Sequence, residues 1–239
     1  MINLFRTIRN SMLKENKTSK YLKYALGEII LVVLGILIAV QINNWNNQRQ
    51  EDAREQKILQ ILKSEFDYNK TELKRNIEKA TRLMNRADTL LLLFDETRDF
   101  DNAERLIMLM GSLSAYSTFD PSNGALTNLI SSGELNLVKN DSLRITLSKW
   151  FGEVQDVKED EVRLMDYGDL HLEPLRIEYS KYKKDSHFNR NTTDILDNPK
   201  FENIVTRMRK ATDYIIQNYE ILGLEIDKIL GLINQEIIQ

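Results

Sequence analysis

Few side chains in this sequence are of the kind that do chemistry, and the most unusual of them is Glu28, the one ionisable group within a long apolar stretch. A carboxylate inside a membrane span is costly, so it marks a place that pairs with a partner helix or a lipid headgroup. The simpler alternative is a position close enough to the interface for the side chain to snorkel or stay protonated. In the same stretch Gly35 and Ala39 form a small-xxx-small pattern of the kind that lets two helices approach closely. Glu28, Gly35 and Ala39 are therefore the candidate residues for contact between membrane helices.

The remaining candidates weaken on inspection. His171 and His187 are the only histidines, and His171-Leu172-Glu173 lacks the partner three or four residues away that a helical metal site uses. Glu159, Asp160 and Glu161 read as a solvated helix face. Ser131-Ser132-Gly133 has neither the G-x-S-x-G nor the S-x-x-K context of a nucleophilic serine, and its composition suits a helix end. Tyr116, Phe119, Trp150, Phe151, Tyr167, Tyr179 and Tyr182 fit the core of a helical bundle, with a ligand pocket as the other use of such a set. The chain has no cysteine, which removes disulfides, thiolate metal sites and cysteine nucleophiles. With no glycine-rich phosphate loop either, the sequence implies no catalytic set, no metal and no cofactor.

The element holding Glu28 is the clearest in the chain. Ile29 to Val40 is uninterruptedly apolar, and adding Tyr24–Glu28 and Gln41-Ile42 reaches 19 residues. As a helix that is roughly 28 Å, close to the hydrocarbon thickness of a bilayer at about 30 Å. Tyr21 and Tyr24 stand at one end and Trp45 at the other, as interfacial aromatics do. The Leu, Ile and Val side chains contribute about −3 to −6 kcal/mol to insertion, against about +3 kcal/mol for Glu28 at the bilayer centre and less near an end. Insertion wins. A cleaved signal peptide fits poorly, since Leu37-Ile38-Ala39 puts a bulky residue where a small one is wanted.

Charge orients the span. Residues 1–44 hold six basic side chains against Glu15 and Glu28, so the overall charge of −3 divides into +4 there and −7 beyond. By the positive-inside rule the N-terminus is cytoplasmic and the bulk of the chain lies outside, which in a Gram-negative cell means an inner-membrane protein with a periplasmic domain. An acidic main domain argues against nucleic acid as a partner. Residues 2–13 read either as a short amphipathic helix on the lipid surface or as a disordered basic tail.

Two segments carry a resemblance. Glu15–Glu28 (ENKTSKYLKYALGE) runs into IILVVLGILIAV and Gln41-Ile42-Asn43-Asn44-Trp45-Asn46, and Leu129–Asn140 (LISSGELNLVKN) precedes Leu143-Arg144. Together they resemble an uncharacterised single-pass membrane-protein family, a domain of unknown function, from Bacteroidetes-type Gram-negative bacteria. The resemblance implies an inner-membrane anchor and an extracytoplasmic helical region, with no activity to carry over.

Only three prolines and nine glycines interrupt a chain rich in good helix formers, and no strand pattern competes. The expected fold is all-α: a basic cytoplasmic segment at 1–21, a transmembrane helix at 22–43, a long helix continuing over 44–98, and the rest of an antiparallel bundle over 99–239. An apolar stripe from Ile58 through Leu62, Phe66, Leu73, Ile77, Ala80, Met84, Ala87 and Leu91 to Phe94 faces the core. Asp99 or Asp101 caps a second helix, Gly133 ends a short one, Asn140 or Asp141 caps the next, Pro174 kinks or ends it, 183–198 is loop, and Pro199 starts the last helix. The role this predicts is a membrane-tethered interaction or scaffold module without catalysis, its partners the bilayer and either another protein or a second copy. The alternative is an extracytoplasmic ligand sensor acting through a membrane partner.

Overall fold

A computed structural model describes residues 18–95, 103–180, 183, 187 and 192–237, and among these the chain is helical with no strand. It divides into two units, Met1–Glu55 and Gln56–Gln239. The first helix, α1 (Thr18–Asp95), is long because neither glycine nor proline falls between Gly35 and Gly111 to break it. Residues 2–13 and the expected caps Asp99 and Asp101 lie outside the described residues.

In the first unit, every side chain from Leu22 to Gln50 is exposed except the half-buried Ala25. Leu31 is 71% and Leu37 58% exposed, so the apolar run is covered on no face. By length and composition this part of α1 can cross a membrane, and none of it is buried as the core helix of a water-soluble fold would be.

The second unit packs three long helices: residues 56–95 of α1, α4 (Asp141–Tyr167) and α6 (Pro199–Glu236). In α1 the seam is Leu59, Leu62, Phe66, Asn69, Leu73, Asn76, Leu83, Ala87 and Leu90, with Ile58 and Leu93 buried beside it. With half-buried Ala80 the seam positions step by three and four, as in a coiled coil. The expected stripe was displaced in part, for Ile77, Met84 and Leu91 are only half buried. The reason is physical: the seam runs through two asparagines, and following apolar residues alone slips by one position there. In α6 the seam is Phe201, Val205, Met208, Thr212, Ile215, Tyr219, Leu222, Ile226, Ile229 and Ile233; in α4 it is Leu143, Leu147, Trp150, Val154, Val157, Glu161 and Leu164.

Cross-helix pairs fix direction. Gln56 bonds the Glu236 carbonyl, Lys70 pairs with Asp227, Asp88 with Arg209, and Phe94 packs on Phe201, so α6 runs antiparallel to α1. Asn140 reaches Glu236, Glu161 meets Tyr219, and Arg207 lies over the Tyr167 ring, so α6 is antiparallel to α4 as well.

Shorter elements close the bundle. α2 (Ala103–Ser112) buries Leu106 and Met110, and α3 (Gly124–Ser132) buries Leu126 and Leu129. Gly133 ends α3 at φ 75°, the left-handed position where a side chain is strained. A 3₁₀ turn (Glu134–Leu137) leads to Asn140, whose side chain caps α4 by accepting from Leu143 N–H at 3.0 Å. Asn198 caps α6 in the same way, with Pro199 at its first position.

Pro174 does not end its segment, which continues in helical conformation to Tyr179. A π-turn at Gly168–Leu172, where the Glu173 N–H reaches back to the Gly168 carbonyl, precedes α5 (Glu173–Tyr179). The wider turn accommodates a ring that would press on the carbonyl four residues back, and Pro174 then sits in the first turn of α5, where no N–H is needed. The expected loop over 183–198 also needs correcting: Thr192–Asp197 is a 3₁₀ helix, held by Ile195 and Leu196, both buried.

Candidate functional site

The membrane-helix candidates lie in the first unit. Glu28, Gly35 and Ala39 are spaced by seven and four residues and so share one face of α1, and all three are exposed. A side chain at Gly35 would meet nothing within 4 Å. Sequence spacing and the helix period alone thus put the three on one face of α1.

In the second unit Ser131 Oγ donates back to the Thr127 carbonyl at 2.8 Å, an ordinary helix bond. His171 packs on Tyr167 with the rings tilted by 56° and their centroids 4.5 Å apart, and His187 is exposed. Among the described residues no three His, Cys, Asp or Glu side chains gather as metal ligands. Beside the Tyr167–His171 pair, Tyr214 and Leu170 line an open surface groove of about 430 Å³ between α4 and α6. Trp150 and Phe119 belong to the core at 1% exposure, while Phe151 is 37% exposed. Tyr182 lies outside the described residues.

The polar groups the structure does gather surround residues 115–123, an extended strap between α2 and α3. An irregular segment inside a bundle forms no ladder, so its backbone groups must find side-chain partners. Asn69, fully buried, supplies two: its Nδ2 donates to the Ser122 carbonyl at 2.8 Å and its Oδ1 accepts the Ser122 N–H at 2.7 Å. Asn76 accepts from the Ser117 hydroxyl. Glu65 accepts from the N–H groups of Ala125 and Leu126 at 2.9 and 3.1 Å and so caps α3 from a different helix. Asn123 precedes α3 but does not cap it, because its Oδ1 accepts from the Trp150 indole at 2.8 Å.

Glu161 is the one buried carboxylate among these groups. Instead of facing solvent with Glu159, it is 3% exposed, and its Oε1 accepts both the Phe119 N–H at 2.9 Å and the Tyr219 hydroxyl at 2.5 Å. Glu159 bonds Arg163 on the outward face, while half-buried Asp160 bonds Arg163 and also accepts from Asn218 of α6 at 2.9 Å. Burial pushes the Glu161 carboxyl above its usual range, and the Tyr219 and Phe119 bonds only partly oppose this. Burial and then Glu161 push the Tyr219 hydroxyl up in turn. The buried polar side chains of the second unit are thereby accounted for: Asn69, Asn76 and Glu161 hold the strap, while Thr146 and Thr212 bond carbonyls of their own helices. The signal for Glu161 was its register, four residues after Val157 and three before Leu164 in the α4 seam.

Tyr116, at the head of the strap, reaches the π-turn. A Cβ on Gly168 would lie 1.6 Å from its hydroxyl, so position 168 must stay glycine while the ring is seated there. Burial, with help from Asp169, pushes the Tyr116 hydroxyl up to about 12.

A family of unknown function (DUF6090) matches residues 28–211. The chain belongs to this family. The DUF6090 match begins at Glu28 and takes in the rest of the apolar run, the α1 seam, the strap and α4. No curated protein and no solved structure matches the chain.

Proposed function

We propose that this protein is a membrane-tethered interaction module: α1 anchors it in the inner membrane, the N-terminus is cytoplasmic, and the helical unit presents a non-catalytic docking surface outside. The observation that carries this reading is the apolar run from Leu22 to Ile42, exposed on every face of its helix, since so much apolar surface demands lipid or a protein cover. The basic excess before the run supports the orientation. The strap supports the role: the interior polar chemistry stiffens the bundle, and Glu161 is out of reach of a solvent-borne substrate. Anchor and module call for a partner, either another protein or a second copy meeting the face of Glu28, Gly35 and Ala39.

Cross-linking the full-length protein in intact cells tests this. A partner adduct that disappears when residues 56–239 are deleted, while the remaining chain stays in the membrane, is the expected result. Adducts unchanged by that deletion would end the reading. The groove beside Tyr167, His171 and Arg207 favours a second reading, a ligand sensor acting through a membrane partner. Bound ligand stabilises the folded state, so a thermal shift of the full chain with one class of small molecule, lost in R207A, would favour the sensor. A flat response across a broad metabolite panel would count against it.

A further inference from the structure

The groove between α4 and α6 holds an arginine whose donors are unused. Of the two arginines that line it, Arg163 is spent on Glu159 and Asp160, at 3.4 and 2.9 Å. Arg207 makes no hydrogen bond or ion pair among the described residues; what it contacts is the ring of Tyr167, with Cζ 4.6 Å from the centroid. A cation over an aromatic ring is held by its charge, which leaves the N–H donors free for an anion. His171 packs on the same ring, its centroid 4.5 Å away. The rest of the groove is apolar and uncovered. Leu164, Ala211 and Ile215 lie deepest, and Tyr214 and Leu170 beside them are 55% and 69% exposed. Leu170 and His171 come from the π-turn, a distortion that frequently accompanies a functional site.

We propose that this groove is a binding site for a small aromatic carboxylate, with Arg207 pairing the carboxylate and Tyr214, Leu170 and the apolar floor covering the ring. The inference rests on the sensor reading and gives its ligand a chemical class. A volume of about 430 Å³ suits a molecule of one or two rings. A carboxylate meets a guanidinium through two parallel N–H···O bonds, which an amide or a cation cannot match. Asp166, exposed in the same groove, disfavours a second negative charge, so a phosphate dianion or a dicarboxylate fits less well. Aromatic and aliphatic walls accept a flat apolar body better than a sugar.

Benzoate, benzamide and benzamidine share one shape and are respectively anionic, neutral and cationic, so they serve as probes. The readout is calorimetric melting of the full chain in detergent at constant ionic strength, with each probe up to millimolar concentration. Benzoate is expected to raise the melting temperature saturably, by about 3–6 °C at ten times its dissociation constant, with benzamide weaker and benzamidine inert. Arg207→Ala is expected to abolish the benzoate response, and Arg207→Lys, which keeps the charge but loses the fork, to weaken it. A benzoate shift that survives in Arg207→Ala, or no shift with any probe, overturns the proposal. Benzamide or benzamidine stabilising as much as benzoate, with the effect lost in Arg207→Ala, overturns the anionic class and leaves the sensor reading standing. Should a variant fail to fold, the order of the three probes on the wild-type chain decides.

Discussion

Replacing Glu161 by glutamine and by alanine asks the strap network two different questions. Alanine removes the acceptor of the Phe119 N–H and the shorter of the two bonds made by the Tyr219 hydroxyl, which keeps only the 3.4 Å bond to the Ser117 carbonyl. At about 1–3 kcal/mol for the unpaired N–H and about 1 kcal/mol for the lost hydroxyl bond the loss is about 2–4 kcal/mol, or a fall of roughly 4–16 °C in melting temperature for a domain of this size. Glutamine keeps a carbonyl oxygen for both donors and removes only the ability to ionise. Because burial raises the folded-state pKa of Glu161 above its unfolded value, the native state binds the extra proton between the two values. Glu161 then costs no stability below its unfolded pKa and progressively more as pH rises toward its folded pKa. E161Q should therefore match the wild type at acid pH and exceed it increasingly as pH rises. Thermal unfolding of the full chain in detergent, followed by helical circular dichroism across pH, reads both effects. The reasoning is refuted if E161A unfolds within a degree of wild type, or if E161Q is as damaging as E161A at every pH.

Other outcomes follow from the same contacts. Gly168→Ala should destabilise the bundle by about 1–3 kcal/mol, and Tyr116→Phe should relieve part of that loss, since the 1.6 Å clash is with the hydroxyl; thermal unfolding of the single and double variants measures it. Asn69→Ala removes both bonds to Ser122 and should cost about 2 kcal/mol by denaturant titration, with faster proteolysis in 115–123 as a local readout. Leu62→Ala, in the fully buried α1 seam, should cost about 2–5 kcal/mol without altering that proteolysis pattern beyond its effect on global stability.

The parts of this fold written in local chemistry were legible in the sequence. Asn140, Gly133 and Pro199 each act on their own neighbours, so the end of α3 and the starts of α4 and α6 could be placed from a few adjacent residues. The seam was legible only where it was apolar. Asn69 and Asn76 look like surface residues, and their reason for being inside is a segment some 40 to 50 positions away that needs hydrogen bonds. Glu161 was hidden by its neighbours: in Glu-Asp-Glu only the third residue falls in register with Val157 and Leu164. Helix period points inward there and local polarity points outward, and tertiary demand from Phe119 and Tyr219 decides. The Tyr116–Gly168 contact joins a strap to a π-turn, and neither feature has a short-range signature.

The measurement that bears most directly on the membrane-tethered reading is the side of the membrane on which the helical unit lies. The chain has no cysteine, so Ser148→Cys on the exposed face of α4 provides a single thiol. The account predicts that an impermeant maleimide labels it in cells whose outer membrane alone has been permeabilised, with the protein in the membrane fraction. Protection until the inner membrane is lysed, or recovery of the intact chain in the soluble fraction, would contradict it.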